Sequence, residues 1–422
     1  MKLPKNVEYI LEKLNSKGFE AFIVGGCVRD SLLNKIPQDY DITTNALPKK
    51  IEEIFDKTIP TGIKHGTVTV LINKEPYEVT TYRTDGEYLN NRKPKEVKFV
   101  SNIEEDLSRR DFTINAMAYS PYLGFKDCFN GKEDLKNKII RCVGDPDKRF
   151  SEDALRMLRA IRFSCQLDFK IEKLTAESIK RNFRLIKNIS MERIQSEFTK
   201  IILSKNPDKG LMLLREHGFS DFLVSEFKNL KLINCYDLYD DVHDTYGLIN
   251  SLPEKLQVRL AGLFYKVFNS EKAVYECKSI LKKLKYDNKT INDTCNLVEN
   301  IHSISCNMSR KKLKLLINSV GAENIFDLLA LEKSYLSYMD EYDTECIDIL
   351  KNRVSDILDS KEPIFIKDLA ITGKDLISEL NFKPGKNIGV LLNFLLENVM
   401  QSPELNNKED LLNLSRQFSY YS

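Results

Sequence analysis

The sequence predicts an α+β protein built from two unlike parts: a head in which strands alternate with short helices, and a longer remainder that is helical throughout. Three observations carry this. Up to about Cys142, apolar residues fall in short strand-like runs, Ala21 to Val24, Thr67 to Ile72, Glu78 to Tyr82 and Val97 to Val100, with short helical stretches between them. Beyond Ser151 nearly every segment places its apolar residues at helical spacing, as in AESIKRNFRLIKNI and IGVLLNFLLENVM. The chain of 422 residues is long enough for about three domains, each with a core of its own. Inside the helical part the best turn signals are Asn206-Pro207 and Glu362-Pro363, and no internal repeat or low-complexity segment occurs.

Composition narrows the function classes. Lys plus Arg is 64 against 62 for Asp plus Glu, a net charge of +2, so contact with a polyanion must come from local patches and not from bulk charge. Nine cysteines without a CxxC pair argue for reduced thiols and against a disulfide framework or a zinc site. The start, MKLPKNVEYILEKLNSKGFEA, reads as a charged amphipathic helix and not as a signal peptide. No run approaches the roughly 18 apolar residues that span a bilayer. The expectation is a soluble cytoplasmic protein with no membrane partner and no obligatory protein partner.

The first chemical unit of the head runs from Phe22 to Ile42, FIVGGCVRDSLLNKIPQDYDI. A buried strand ends in Gly25-Gly26, where the backbone turns sharply and exposes N–H groups to a ligand at the start of the next helix. Arg29 stands one turn into that helix. Asp39 and Asp41 flank Tyr40 at the two-residue period of a strand, which places both carboxylates on one face. Two hard oxygen ligands side by side suit Mg2+, which completes its octahedron with water and phosphate oxygens. A paired aspartate alone is more often a solvated strand end; the glycines upstream favour the metal reading.

Two further strings follow. Asp106 to Ala118, DLSRRDFTINAMA, puts a basic pair and an aspartate ahead of a helical apolar stretch, with Asp111 as an ordinary N-cap in the plainest reading. Ser151 to Phe163, SEDALRMLRAIRF, spaces Asp153, Arg156, Arg159 and Arg162 three apart, a spiralling row along one helix. A carboxylate and an arginine can together accept from the exocyclic amine and donate to the ring nitrogen of cytosine or adenine. Guanine and uracil present the opposite order. Guanidinium forks at Arg159 and Arg162 suit phosphate oxygens. Lys173, Lys180, Arg184 and Lys187 recur at helical spacing, and the turn from Pro384 to Gly389, with Lys383 and Lys386, opens an apolar helix; both are candidate RNA-backbone contacts.

The strand, glycine pair, helix and DxD order resembles the nucleotidyltransferase superfamily that includes DNA polymerase beta. More narrowly, GGCVRD followed by DYDITTNA looks like class II tRNA nucleotidyltransferases (CCA-adding enzymes) and the related bacterial poly(A) polymerases. The resemblance implies a mixed-sheet catalytic head over 1–143, a helical neck for base recognition over 144–205, a helical body over 206–330 and a tRNA-binding tail over 331–422. It implies template-independent addition of CCA to the tRNA acceptor end from CTP and ATP. Asp39 and Asp41 would hold two Mg2+ ions, Glu78 being an additional carboxylate. Gly26, Arg29, Arg110, Asp111, Asp153, Arg156, Arg159 and Arg162 would bind the nucleotide, Arg110 and Asp111 at the ribose and Asp153 with Arg156 at the base.

Within that family, Thr61 to Val68, TGIKHGTV, resembles the CCA-adding group, and Arg83 to Pro94, RTDGEYLNNRKP, resembles the flexible loop of full CCA-adding enzymes. Asn90 stands where the related pattern often has aspartate, so A-only addition stays open beside CC-only addition and poly(A) synthesis. A non-enzymatic RNA-binding protein is the reading that intact Asp39, Asp41, Arg110 and Asp153 oppose. Some relatives carry an HD-type phosphohydrolase domain. Here Tyr265 and Lys266 occupy the place of its metal-binding pair, so hydrolase activity is not expected, and His243 reads as a structural or surface histidine.

Overall fold

The computed structural model describes the chain except for residues 87, 90–92, 95, 220–246, 269–272, 339–343 and 419–422. The chain forms two compact units, residues 1–229 and 230–422.

The first unit is organised by a seven-stranded sheet. Its strands are β1 (Ala21–Val24), β2 (Asp41–Thr44), β3 (Thr58–Gly62), β4 (Thr67–Ile72) and β5 (Glu75–Thr81), joined by β10 (Met117–Ser120) and β11 (Gly124–Asp127). Between them lie two small ladders, β6 (Arg83–Asp85) with β9 (Val97–Phe99) and β7 (Tyr88–Leu89) with β8 (Lys93–Pro94). The order is β11-β10-β1-β2-β5-β4-β3, with β2 and β5 parallel and every other neighbour antiparallel. The sheet is mixed. A parallel pair needs a crossover, supplied by α3 (Pro48–Ile54), which starts on a proline whose missing N–H costs nothing there, and by the β3–β4 hairpin.

The central strand β1 is buried at all four positions, and this is why it reads AFIV without alternation. Phe22 and Val24 pack with Tyr82, Ile103, Leu107, Ala116, Ala118 and Val143. Helix α1 (Lys5–Ser16) buries Val7, Ile10, Leu11 and Leu14, one stripe at helical spacing. Then come α2 (Gly26–Leu32), α4 (Ile103–Ser108) and α5 (Gly131–Lys136), and, past the sheet, α6 (Pro146–Glu152), α7 (Leu155–Leu167), α8 (Lys173–Asn182), α9 (Met191–Ile202) and α10 (Pro207–Glu216).

Three local expectations are corrected. Asp39 precedes β2 and only Asp41 belongs to the strand, so the pair does not share a strand face. The stretch after Asp111 is one 3-10 turn, Thr113–Asn115, leading into β10, because an apolar run buried on all sides is claimed by the sheet as readily as by a helix. The helix expected through Ser151 to Phe163 is broken: Asp153 has extended backbone (φ −138°, ψ 102°) between α6 and α7.

The second unit is helical, with segments Leu256–Phe268, Ala273–Lys283, Asn288–Asn300, Arg310–Val320, Ile325–Tyr338, Glu345–Asp359, Gly373–Leu380, Lys386–Gln401 and Lys408–Phe418. Tyr265 packs edge-on against His302 and Tyr335, at 5.1 and 6.3 Å between ring centroids, and fills its site with aromatic contact; His243 lies outside the described residues. The expectation of reduced thiols fails at one pair: Cys306 and Cys346, with Cα atoms 5.5 Å apart, form a disulfide. A separation of 40 residues, without a motif, left this pairing invisible in the sequence. No helix among the described residues is long and apolar enough to cross a membrane.

An ion cluster around the buried Lys314 ties this unit together. Lys314 is 1% exposed, donates to the Met400 carbonyl at 3.1 Å and pairs with Glu362, which also accepts from Arg310 at 2.6 Å. These donors, Arg310 first and then Lys314, hold the Glu362 carboxyl at about 2. A depressed carboxyl contributes stability that is complete above its unfolded value, near 4.3, and is lost as pH falls toward 2. Urea midpoints measured from pH 6 to pH 2 are therefore expected to fall in the wild type and to start low and stay flatter in Glu362→Gln, which strands the Lys314 charge. Parallel profiles would refute this.

Candidate active site

Pairing of Val24 with Asp41 brings the start of β2 beside the end of β1, where the chain turns through Gly25. Gly25 has φ +76°, and a Cβ there would stand 2.8 Å from Arg110 Nη1, so the bare glycine permits both the turn and the approach of the guanidinium. Gly26 opens α2 and is under less constraint; a Cβ would make ordinary contact with Arg29. Asp41 is exposed at the mouth of this turn, yet the protein wall around it raises its carboxyl, Arg110 opposes that, and the like charge of Asp39 adds to it. Arg110 is itself lowered by burial, lies 3.7 Å from Asp106, and leaves its Nε without a hydrogen-bond partner.

Three consecutive residues then join this corner to the helices beyond the sheet. The Arg109 carbonyl accepts from Arg156 Nη2 at 2.9 Å, while the Arg109 side chain donates to the fully buried Asp106 at 2.8 and 3.0 Å. Arg110 faces Gly25 and Asp41. Asp111 Oδ2 accepts from Arg159 Nε and Nη2 at 2.8 and 2.6 Å, and its Oδ1 accepts from the Phe112 N–H and Asn115 Nδ2. Asn115 Oδ1 in turn accepts from Arg29 Nη1 at 2.7 Å. Burial alone would raise the Asp111 carboxyl, but Arg159 and the Asn115 amide hold it far below the usual carboxylate range. Both Asp111 oxygens are thus engaged inside the protein, where they fix Arg159 and, through Asn115, Arg29.

Helices α7 and α9 complete the arrangement. Asp153, in the break before α7, accepts from the Leu155 N–H at 3.2 Å and is gripped by both arms of Arg193 at 2.8 and 3.2 Å. Arg156 donates to Glu152 at 2.8 Å and to the Arg149 carbonyl at 3.2 Å. Arg162 pairs with Glu197 at 2.8 Å, and burial pushes it down to about 10. Asp153 and Arg156 are therefore each held by a separate partner.

Sequence reasoning missed Arg193, Glu197, Asp106, Asn115 and Glu152. Glu152, four residues before Arg156, carried a helical ion-pair signal; Arg193 and Glu197 share one face of α9 at the same spacing, but nothing local tied them to α7. Glu78 is exposed and directly precedes Val79, the partner of Ile42 in the β2–β5 register, as Asp41 precedes Ile42. Among the described residues, however, no three His, Cys, Asp or Glu side chains gather closely enough to hold an ion, so the structure does not place Glu78 in a ligand set with the aspartate pair. Asn90 lies outside the described residues.

Comparison with known proteins gives the family of the chain. Residues 21–141 match the poly A polymerase head domain, 168–231 the probable RNA and SrmB-binding site of polymerase A, and 263–414 the putative tRNA nucleotidyltransferase domain 2. A CCA-adding enzyme of Ligilactobacillus salivarius is 38% identical over 413 residues, covering 96% of this chain and 94% of that protein. The chain belongs to the family of CCA-adding enzymes. A CCA-adding enzyme of Enterococcus faecalis is 36% identical over 98% of this chain and 95% of its own. The crystal structure of the Bacillus stearothermophilus CCA-adding enzyme in complex with CTP matches over all of both chains with a TM-score of 0.80 at 29% identity. The match to the poly A polymerase head domain covers Asp39, Asp41 and Arg110, while Asp153 and the α7 arginines fall between the first two matched stretches. Near-full-length similarity to CCA-adding enzymes disfavours the poly(A) polymerase alternative.

Proposed function

We propose that this protein adds CCA to the 3′ end of tRNA, taking CMP, CMP and then AMP from CTP and ATP without a nucleic-acid template and releasing pyrophosphate. The observation that carries the proposal is the run Arg109-Arg110-Asp111, whose three residues connect the Asp41 corner to Arg156 and Arg159. One site can then hold a nucleotide at both its phosphates and its base.

Asp39 and Asp41 fit Mg2+: both are hard oxygen donors, and their mutual repulsion in a partly desolvated corner is relieved by a cation. Bound there, two Mg2+ ions would ease deprotonation of the RNA's terminal hydroxyl and offset charge on the leaving pyrophosphate. The protein supplies the rest by position. Arg110, enclosed beside Gly25 with an unpartnered Nε, offers a donor to the nucleotide. Arg159 and Arg162 present guanidinium groups to the triphosphate. Asp153, an acceptor only, and Arg156, a donor only, select bases with an amine beside an unprotonated ring nitrogen, which are cytosine and adenine. Guanine and uracil would leave buried polar groups unpaired. Lys173, Lys180, Arg184 and Lys187 are all exposed, as are Lys383 and Lys386 at the start of a 16-residue helix, in keeping with contacts to an RNA backbone that ignore sequence.

A tRNA transcript lacking its CCA end, incubated with CTP alone, ATP alone and both, tests the reading through product length. Extension by two nucleotides with CTP and by three with both is the expected result. A ladder of added A residues, or extension by CTP that ATP cannot complete, would replace it with poly(A) synthesis or CC-only addition. Addition of A only to a transcript already ending in CC would point to an A-adding enzyme.

A further inference from the structure

We infer that Phe163 is a positioning residue for nucleotide binding: its ring gathers three guanidinium groups from two helices into one phosphate-facing cluster. The inference rests on the reading that these arginines receive the triphosphate. Arg162 lies 4.1 Å, Arg29 5.0 Å and Arg159 5.5 Å from the Phe163 ring centroid, measured to the guanidinium carbon. Arg29 comes from α2 and the other two from α7. Three cations around one point repel each other, and each has one carboxylate: Asp30 for Arg29, Asp111 for Arg159 and Glu197 for Arg162. These three carboxylates already balance the three cations in formal charge, and any further carboxylate would turn the cluster net negative toward a triphosphate.

An aromatic face resolves that conflict. Its quadrupole attracts a cation while adding no net charge, and it takes up none of the guanidinium N–H donors, which remain for oxygen acceptors. Phe163 is suited to the task because it is itself immobile. It is 5% exposed, and it is braced edge-to-face by Phe112, with centroids 5.8 Å apart and planes at 83°. Phe112 follows Asp111 directly, so the residue that orients the ring is bonded to the one that orients Arg159. A leucine at 163 would occupy comparable space without holding the cations.

The test replaces Phe163 in the full-length protein with mono-, tri- and pentafluorophenylalanine, which keep the ring's shape while draining its electron density, alongside Phe163→Leu and Arg162→Gln. KM and kcat for CTP and ATP and the inhibition constant of inorganic tripolyphosphate are measured, with thermal unfolding as a check. The expected result is a stepwise rise in KM for both nucleotides and in the tripolyphosphate constant, reaching about tenfold, with smaller changes in kcat and an unfolding midpoint that does not follow fluorination. A flat KM across the fluorinated series, with KM raised in Arg162→Gln, would overturn the role of the ring and leave the phosphate assignment standing. An unchanged KM in Arg162→Gln would overturn the phosphate assignment, and this inference with it.

Discussion

Asp41→Asn is expected to lower the rate of nucleotide addition by about a thousandfold or more while tRNA binding and folding persist. The side chain keeps its size, and its position at the exposed start of β2 gives it no core contact to lose. Its carboxylate is moreover held in surroundings that disfavour its charge, so removing that charge is not expected to destabilise the head. What disappears is one of the paired aspartates that would hold the metal, and several kcal/mol of stabilisation of developing charge correspond to about three powers of ten in rate. Pyrophosphate release and filter-bound tRNA measured on the same preparation separate the two effects. Retention of a tenth of wild-type activity would rule out Asp41 as a metal ligand.

The second large effect concerns base choice. Asp153→Ala is expected to cut the preference for CTP over UTP by about ten- to hundredfold, the size of one buried polar group left unpaired. In the wild type the carboxylate is aimed from two sides, by the Leu155 N–H and by the two arms of Arg193, so its direction is fixed before a base arrives. Single-turnover incorporation of each of the four nucleotides gives the ratios directly. Arg193→Lys should shift them in the same direction by less, since an ammonium holds a carboxylate through one point and not through a fork. If the Asp153→Ala ratios match wild type, the base is read elsewhere.

The head was legible because its signals are local. A continuous apolar run marked β1, a glycine pair marked the turn, and a strand-like run marked β4; the observed bounds of β1, Ala21–Val24, and β4, Thr67–Ile72, coincide with those runs. Legibility ended where two elements compete for the same pattern. Phe112 to Ala118 is buried throughout, which is compatible with helix or strand; it became a 3-10 turn, Thr113–Asn115, followed by β10 from Met117, where neighbouring β1 and β11 pair with it. At Asp153 the three-residue spacing pointed to one helix, while the extended backbone there turns the carboxylate off the α7 row toward Arg193.

The sequence by itself determined the α+β division, the glycine turn, the aspartate pair and the spacing of the α7 arginines, because each depends on residues a few positions apart and on the periodicity of the backbone. Tertiary structure alone decided the partners: Arg110 over Gly25, Arg193 on Asp153, Glu197 on Arg162, and Arg29 drawn to Asn115 and the Phe163 ring. Those contacts join residues far apart in the chain, 40 positions for Arg193–Asp153 and 86 for Arg29–Asn115. Their strength depends on distances of a few ångströms and on exclusion of water, quantities that exist only once the chain has folded.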